Sequence, residues 1–457
     1  MTLPEVLAPA KRLLRTSRGV RDVSVSILPQ AVNSAVGFAT SIALARGLGA
    51  AGMGTYSLVI SISTALLTLS DLGIGHTAVR FASHAVAQGN KIAQYAVLRR
   101  ALRWRLSTAA LVCLVTFLAA PYIAERIWHT PELTRLIRLS LPTAIFGALA
   151  AAPIFYFQSM KQFARNAAVQ CMQTLINFAG ILLLAWYKKW SVETIILVSI
   201  VSSAIGAAVF LGLVPRETLW VSRRKRSEWH ADIKQLHPRD ERLDNTSMEA
   251  FAACMVASFI LSTLTLRADL WLMGIYLPAD QIGHYTVAQK FSMPLMIILG
   301  ALNTVLWPRA SGVVMQQEAL ALLRRALKMS LLAALALLPY AILVPFTAPY
   351  VFGAEYAGSV ALGQVLCFRC ILALVTAPLG AVSYSFGMVR FYPLLNLVQL
   401  AMVVGLNILL LPTWGPMGAA IALLANDTLG LIVIASLMGY KAYAARGGGP
   451  PCNAVAP

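Results

Sequence analysis

Five charged residues stand inside long apolar stretches of the sequence: Arg267, Asp269, Lys290, Arg369 and Asp427. Placing a charge at that depth costs about 2.5–3.5 kcal/mol on insertion scales, so such groups serve as ion pairs, relays or ligand contacts. Two pairings would make them structural, Arg267 with Asp269 and Arg369 with Asp427, each partner neutralising the other. Lys290 has no evident partner. The cations outnumber the carboxylates, which suits an anionic ligand better than a transported cation.

Uncharged polar residues add a second pattern. Gln30, Asn33, Ser34, Gly37 and Ser41 recur at three- and four-residue steps, as do Ser258, Ser262, Thr265 and Asp269. On helices, each set makes one wet stripe. The stripes line a hydrated cleft, or else their hydroxyls bond their own backbone. Other chemistry is poorly supplied. Cys113, Cys171, Cys254, Cys367 and Cys370 all fall in apolar stretches, and Cys452 lies near the end. Cys367-Phe-Arg-Cys370 has redox spacing but no preceding strand, so it reads as packing. The histidines lack metal-ligand spacing, and Gly49-Ala-Ala-Gly52-Met-Gly54 reads as a turn, not a phosphate cradle. With no convergent acid, base or nucleophile and no nucleotide-binding motif, no catalytic residue, metal or cofactor is assigned.

The elements that must position these residues are membrane helices. The 457 residues are 58% apolar and only 12% charged, with mean hydropathy +0.72, a composition that needs lipid as its solvent. Windows long enough to cross about 30 Å of hydrocarbon occur at 23–45, 56–74, 106–124, 139–158, 167–186 and 192–214. After a polar stretch they resume at 250–276, 285–307, 329–352, 360–386, 391–411 and 417–440. The predicted fold is therefore an all-α integral membrane protein of about twelve transmembrane helices, in two six-helix lobes around a central cavity. Its divisions are a basic amphipathic segment at 1–22, a first lobe at 23–214, a basic linker at 215–249, a second lobe at 250–440 and a tail at 441–457.

The net charge of +19 fits this division. When Lys and Arg are assigned to alternate sides of the twelve spans, most fall on one side, including Arg80 to Arg105, the Arg223-Arg224-Lys225-Arg226 run, Arg324, Arg325 and Lys328. That side is then cytoplasmic, and it holds both termini. The basic runs are accounted for by topology, so nucleic acid is not a partner. No small-residue cleavage site follows the first span, so that span is expected to be retained. Ahead of it, Leu3, Val6, Leu7, Ala10, Leu13 and Leu14 suit a helix lying on the inner leaflet.

An internal repeat relates the lobes. Gly54-Thr55-Tyr56 opens the second span and Gly283-His284-Tyr285 opens the eighth. With an even number of spans per half, both copies insert in the same sense, related by an axis along the membrane normal. The first hairpin runs from Ala45-Arg46-Gly47-Leu48-Gly49 through Gly54-Thr55-Tyr56 to Asp71-Leu72-Gly73-Ile74-Gly75 and Arg80-Phe81. With Asp269, Gly283, Tyr285, Ala288, Pro294 and Pro308, Phe352-Gly353-Ala354-Glu355-Tyr356 and Gly415-Pro416-Met417-Gly418, it resembles the oligosaccharide and polysaccharide flippases of the multidrug/oligosaccharidyl-lipid/polysaccharide exporter superfamily, over nearly the whole chain.

That resemblance implies movement of a polyprenyl-diphosphate-linked oligosaccharide from the cytoplasmic to the outer leaflet of the inner membrane, for O-antigen, capsule or exopolysaccharide synthesis. It makes Arg267, Lys290 and Arg369 candidates for the diphosphate, Gln30 and Asn33 for sugar, Arg46 for an outer gate, and Asp269 and Asp427 for ion coupling. The expected partners are this lipid-linked substrate, membrane lipid, and an envelope polysaccharide polymerase with its chain-length machinery; the oligomeric state is left open. Two rivals remain. A drug or metabolite antiporter of the superfamily would want an acidic cation site in the first lobe, and its first span, 23–45, has no Asp or Glu. A membrane polymerase or ligase would want a large outer loop with catalytic groups, whereas the longest outer connection is short.

Overall fold

A computed structural model describes residues 17–71, 73–219, 245–311, 316–385 and 391–446, with the side chains of the first helix described from Ala31. The amphipathic segment before Ser17, the Arg223–Arg226 run and the tail after Arg446 lie outside the described residues. Every regular element among the described residues is helical.

The first half comprises α1 (Ser17–Leu69), α2 (Ile74–Ala87), α3 (Lys91–Pro121, extended by a π-helical turn at Tyr122–Ile127), α4 (Leu133–Ser159), α5 (Phe163–Trp186), α6 (Val192–Leu213) and the short α7 (Arg216–Leu219). The second comprises α8 (Asn245–Tyr276), α9 (Ala279–Lys290), α10 (Met293–Ser311), α11 (Gln316–Leu343), the single turn α12 (Ala348–Val351), α13 (Ser359–Ser385), α14 (Tyr392–Trp414) and α15 (Pro416–Arg446).

At 53 residues, α1 is far too long for one crossing, and it contains two of the predicted spans. The break is at Gly49, whose φ of 68° and ψ of 178° no helix accommodates and which an L side chain rarely adopts. Residues before it run alongside α5: Leu44 and Ala45 pack with Ile181, and Gly47 sits against the Trp190 ring. Residues after it run alongside α4: Ser63 Oγ donates to Ser140 Oγ at 2.8 Å, and Gly147 sits against Leu67. Since α4 and α5 are antiparallel across a tight turn at Lys161 (φ 56°), α1 is a hairpin that reverses at Gly49. The eighth predicted span is also broken: α9 and α10 meet at 46°. Taking the hairpin as two crossings and the bent pair as one, the described residues make twelve, as the hydropathy pattern predicts.

Packing follows lipid rules. Leu111, Leu114 and Leu118 on α3, and Leu331, Leu332 and Leu335 on α11, are exposed where a soluble protein would bury them. Exposed aromatic residues mark both ends of the bundle, with Trp186, Tyr187, Tyr350 and Trp414 toward the Gly49 end and Trp104 and Tyr440 toward the other. At that second end, α2 exposes Arg80, Phe81 and His84 on one side and buries Ala78, Ala82 and Ala85 on the other. There the Arg105 guanidinium is ion-paired with Asp71 and also donates to the Leu67 carbonyl, tying α3 to the hairpin.

The repeat becomes a contact. A Cβ built on Gly54 would lie 1.7 Å from the Ala279 carbonyl oxygen, and one on Gly283 would lie 2.0 Å from that of Ala50. Each glycine meets the residue four before the other, so the crossing is reciprocal, as an approximate two-fold axis requires. Only a hydrogen fits at either place.

Candidate functional site

The two lobes are held together at the Gly49 end. Arg46 donates from Nε to the Val351 carbonyl at 2.9 Å and from Nη2 to the Tyr350 carbonyl at 2.8 Å, placing its charge at the C-terminal end of α12, where carbonyls lack helical partners. Tyr356 returns a bond to the Ala45 carbonyl at 3.2 Å. Deeper in the bundle, Trp128 Nε1 donates to the Trp271 carbonyl and Trp271 Nε1 to Ser61 Oγ, at 3.1 and 3.0 Å. Phe38, Phe291, Phe352 and Tyr356 fill the seam with edge-on ring contacts. Toward the other end a Cβ on Gly73 would meet Val256 at 3.9 Å, an ordinary contact between the lobes.

Beneath this seal lie the charged residues. Asp269 is 1% exposed; its Oδ2 accepts from Tyr285 Oη at 2.6 Å and from Gln289 Nε2 at 3.4 Å, while Oδ1 has no hydrogen-bond partner. The carboxylate is thus held by α9 and not by Arg267, its neighbour in sequence. Arg267 and Lys290 are both partly buried and in electrostatic range of each other, and neither makes an ion pair among the described residues. Arg369 does pair: its Nε donates to Asp427 Oδ2 at 2.8 Å, and Asn426 Nδ2 donates to Asp427 Oδ1 at 3.2 Å. Of the two pairings open from sequence, this is the one that forms.

The pair is not sealed in. Arg369 and Asp427 are 23% and 20% exposed because they border a cavity of about 430 Å³ between α10, α13, α14 and α15. Asn303, Asn396 and Gln399 also line it, together with the apolar Met296 and Leu299. Among the described residues, its lining comes from the second lobe. From Arg369 near mid-depth it runs toward the end away from Gly49, reaching Tyr392 and Ile434.

The polar stripes have two outcomes. Ser41 bonds the Gly37 carbonyl, Ser262 that of Phe259 and Thr265 that of Leu261, so these hydroxyls serve their own helices. Asn33 Oδ1 and Ser258 Oγ are buried without a partner. The side chain of Gln30 lies outside the described residues. Sequence reasoning missed Tyr285 and Gln289 as supports of Asp269, and Asn303, Asn396 and Gln399 as cavity groups. Tyr285 was visible only as part of the repeat, whereas an amide such as Gln399 inside an apolar run is a legible signal. Cys367 and Cys370 are free and buried; Cys370 borders the cavity.

Residues 20–314 match the family described as polysaccharide biosynthesis protein. No curated protein matches the sequence. Among solved structures, the fold is shared with lipid II flippase MurJ in an inward closed conformation, at 12% identity and TM-score 0.66, over 90% of this chain and 87% of that one. It is shared with an inward-facing multidrug resistance transporter of the MATE family and MOP superfamily, at 13% identity and TM-score 0.64, over 90% and 96%. A MOP superfamily transporter from Pyrococcus furiosus, described as having a binding pocket of reversed polarity, aligns at 14% identity and TM-score 0.60, over 92% and 95%.

Proposed function

The chain belongs to the polysaccharide biosynthesis protein family, and from that premise we propose that it is an alternating-access flippase carrying a polyprenyl-diphosphate-linked oligosaccharide across the inner membrane for envelope polysaccharide synthesis. The observation that carries the reading is the presence of two cations, Arg267 and Lys290, partly buried within the bundle and without an ion pair to a carboxylate among the described residues. A diphosphate supplies the missing charge and accepts several hydrogen bonds from them. The hydrophilic headgroup cannot cross hydrocarbon unaided, but a cationic cleft can replace its hydration while the polyprenyl chain stays in lipid.

Direction follows from the seal. With the basic side of the bundle and both termini in the cytoplasm, the Gly49 end is outer, so this conformation is closed outward. Arg46 is then an outer gate residue. Asp427 is occupied by Arg369, which leaves Asp269, buried and with one free oxygen, as the group for ion or proton coupling. Asn33 offers an amide to sugar, with Gln30 one turn below it. The polymerase and its chain-length partners would take the product at the outer face.

The multidrug transporters that share the fold raise the antiporter as a second reading. A lipophilic cation would need an acidic site, and residues 31–69 contain neither Asp nor Glu. Purified protein in nanodiscs, titrated separately with a fluorescent short-chain polyprenyl diphosphate and a lipophilic organic cation, tests the choice. The diphosphate should bind and Lys290→Ala should weaken it; saturable binding of the cation alone would select the antiporter.

A further inference from the structure

We propose that the cavity inside the second lobe is a sugar-reading subsite, in which Arg369, Gln399 and Asn303 hydrogen-bond the carbohydrate next to the diphosphate. This rests on the flippase reading above and adds where, and by what chemistry, the sugar is distinguished. Charge comes first. Arg369 is matched by Asp427, so the cavity wall is close to neutral and offers little net attraction to a phosphate. Yet only Nε of the guanidinium is used by the pair, leaving Nη1 and Nη2 as donors on the cavity side. Arg369 thus acts on a neutral ligand through hydrogen bonds, while the diphosphate falls to the unpaired Arg267 and Lys290.

The amides carry the same message. Neither Gln399 nor Asn303 makes a hydrogen bond with any described residue, although both border the cavity among apolar side chains. Polar groups in such surroundings are kept when a ligand or water satisfies them. An amide presents donors and an acceptor together, and a sugar hydroxyl does the same, so the two are complementary in a way that neither a bare anion nor an alkyl chain can match. Asn396 adds a carbonyl, its Nδ2 being spent on the Ser258 carbonyl. Met296 and Leu299 give an apolar surface on which the C–H face of a ring can rest.

The backbone makes the room. A Cβ on Gly430 would come within 2.8 Å of Gln399 Nε2, so glycine at this position keeps the amide free to turn inward. At Gly380, by contrast, a Cβ would meet nothing within 4 Å, because that residue faces the open space. A volume near 430 Å³ suits a small polar headgroup and excludes a long polyprenyl chain. The position suits it too: Lys290 ends α9, and Met296 in the first turn of the following α10 already lines the cavity, so the cavity begins close to a proposed diphosphate contact.

The test compares affinities of full-length protein in nanodiscs for a fluorescent short-chain polyprenyl diphosphate, bare or carrying one hexose, N-acetylhexosamine or hexuronic acid. The preferred sugar lipid should bind at least about tenfold more tightly than the bare one, or about 1.4 kcal/mol. Gly380→Leu, which fills the space, and Gln399→Leu, which removes an amide, should each bring that ratio toward one. Lys290→Ala should weaken every lipid and keep the ratio. Melting temperatures verify that the variants fold, and two chemically different variants guard against either one failing to do so. A ratio near one for all three sugars in the unaltered protein overturns the subsite, as does an undiminished ratio in both folded variants; in either case diphosphate binding still supports the flippase reading. Failure to bind any of the lipids overturns that reading itself, and the subsite with it.

Discussion

Replacing Gly54 with alanine should move the protein out of the conformation described here without unfolding it. The added Cβ would sit 1.7 Å from the Ala279 carbonyl oxygen, whereas ordinary contact begins near 3.4 Å, and the obstacle is backbone that cannot swing aside. The helices must therefore separate by well over an ångström at the tightest point of the seam. Overpacking of this kind costs about 1–3 kcal/mol where it cannot be relieved. Here it can be, by parting the lobes at this end, so the cost becomes a shift in population. At about 1.4 kcal/mol per decade, the open-outward state should gain roughly five- to 150-fold. Paired cysteines at Ala51 and Asp280, both exposed beside the crossing, report closure there, and a pair at Gly73 and Val256 reports the other end. In a background without the native cysteines, Gly54→Ala should reduce cross-linking of the first pair relative to that of the second. Gly283→Ala should do the same, because the contact is reciprocal. Unchanged yields at both pairs would refute the idea that this crossing parts during transport.

Arg46→Ala removes two bonds from a charged donor to carbonyls, each worth about 1.5–3 kcal/mol, and should open the same end; Arg46→Lys, which lacks the planar fork, should restore only part of the closure measured by the same cross-link. Lys290→Ala should lower transport of the lipid-linked substrate at least tenfold while membrane abundance, read by immunoblot, stays unchanged. Asp427→Ala should destabilise the protein, by less than the about 3–5 kcal/mol of a fully buried pair because the cavity leaves the Arg369 charge partly hydrated. The double variant Arg369→Ala with Asp427→Ala should recover most of that loss in thermal melting, a coupling that independent sites would not show.

Sequence alone located the helices because hydrocarbon imposes one rule, a long apolar run, and composition reports that rule directly. It also placed the first reversal, since the gap between the windows 23–45 and 56–74 and the turn read at Gly49 to Gly54 contain the break at Gly49, but it ran the eighth span straight through its bend. The bend between α9 and α10 falls at Gln289, Lys290, Ser292 and Pro294, a short polar and helix-breaking interruption that the window 285–307 averages over. Buried charges were legible because they are rare in lipid; their partners were not. Arg267 and Asp269 are two residues apart in sequence, yet the carboxylate turns to Tyr285 and Gln289 on α9. The stripe of Ser41, Ser262 and Thr265 looked like a wet face, but hydroxyls within reach of their own carbonyls satisfy themselves. The glycine repeat was visible from the start, whereas its meaning, two backbones crossing in mutual contact, needed three dimensions.

The central claim is that a diphosphate-linked sugar headgroup crosses through this bundle, guided by unpaired cations. Reconstitution in liposomes with a labelled polyprenyl-diphosphate-linked oligosaccharide measures it directly, by the rate at which label reaches the far leaflet with and without a proton gradient. The unaltered protein should move the lipid much faster than protein-free vesicles, and Arg267→Ala with Lys290→Ala should abolish the difference. Label that stays on its original leaflet while a lipophilic cation is expelled, or movement that survives loss of both cations, would contradict the account.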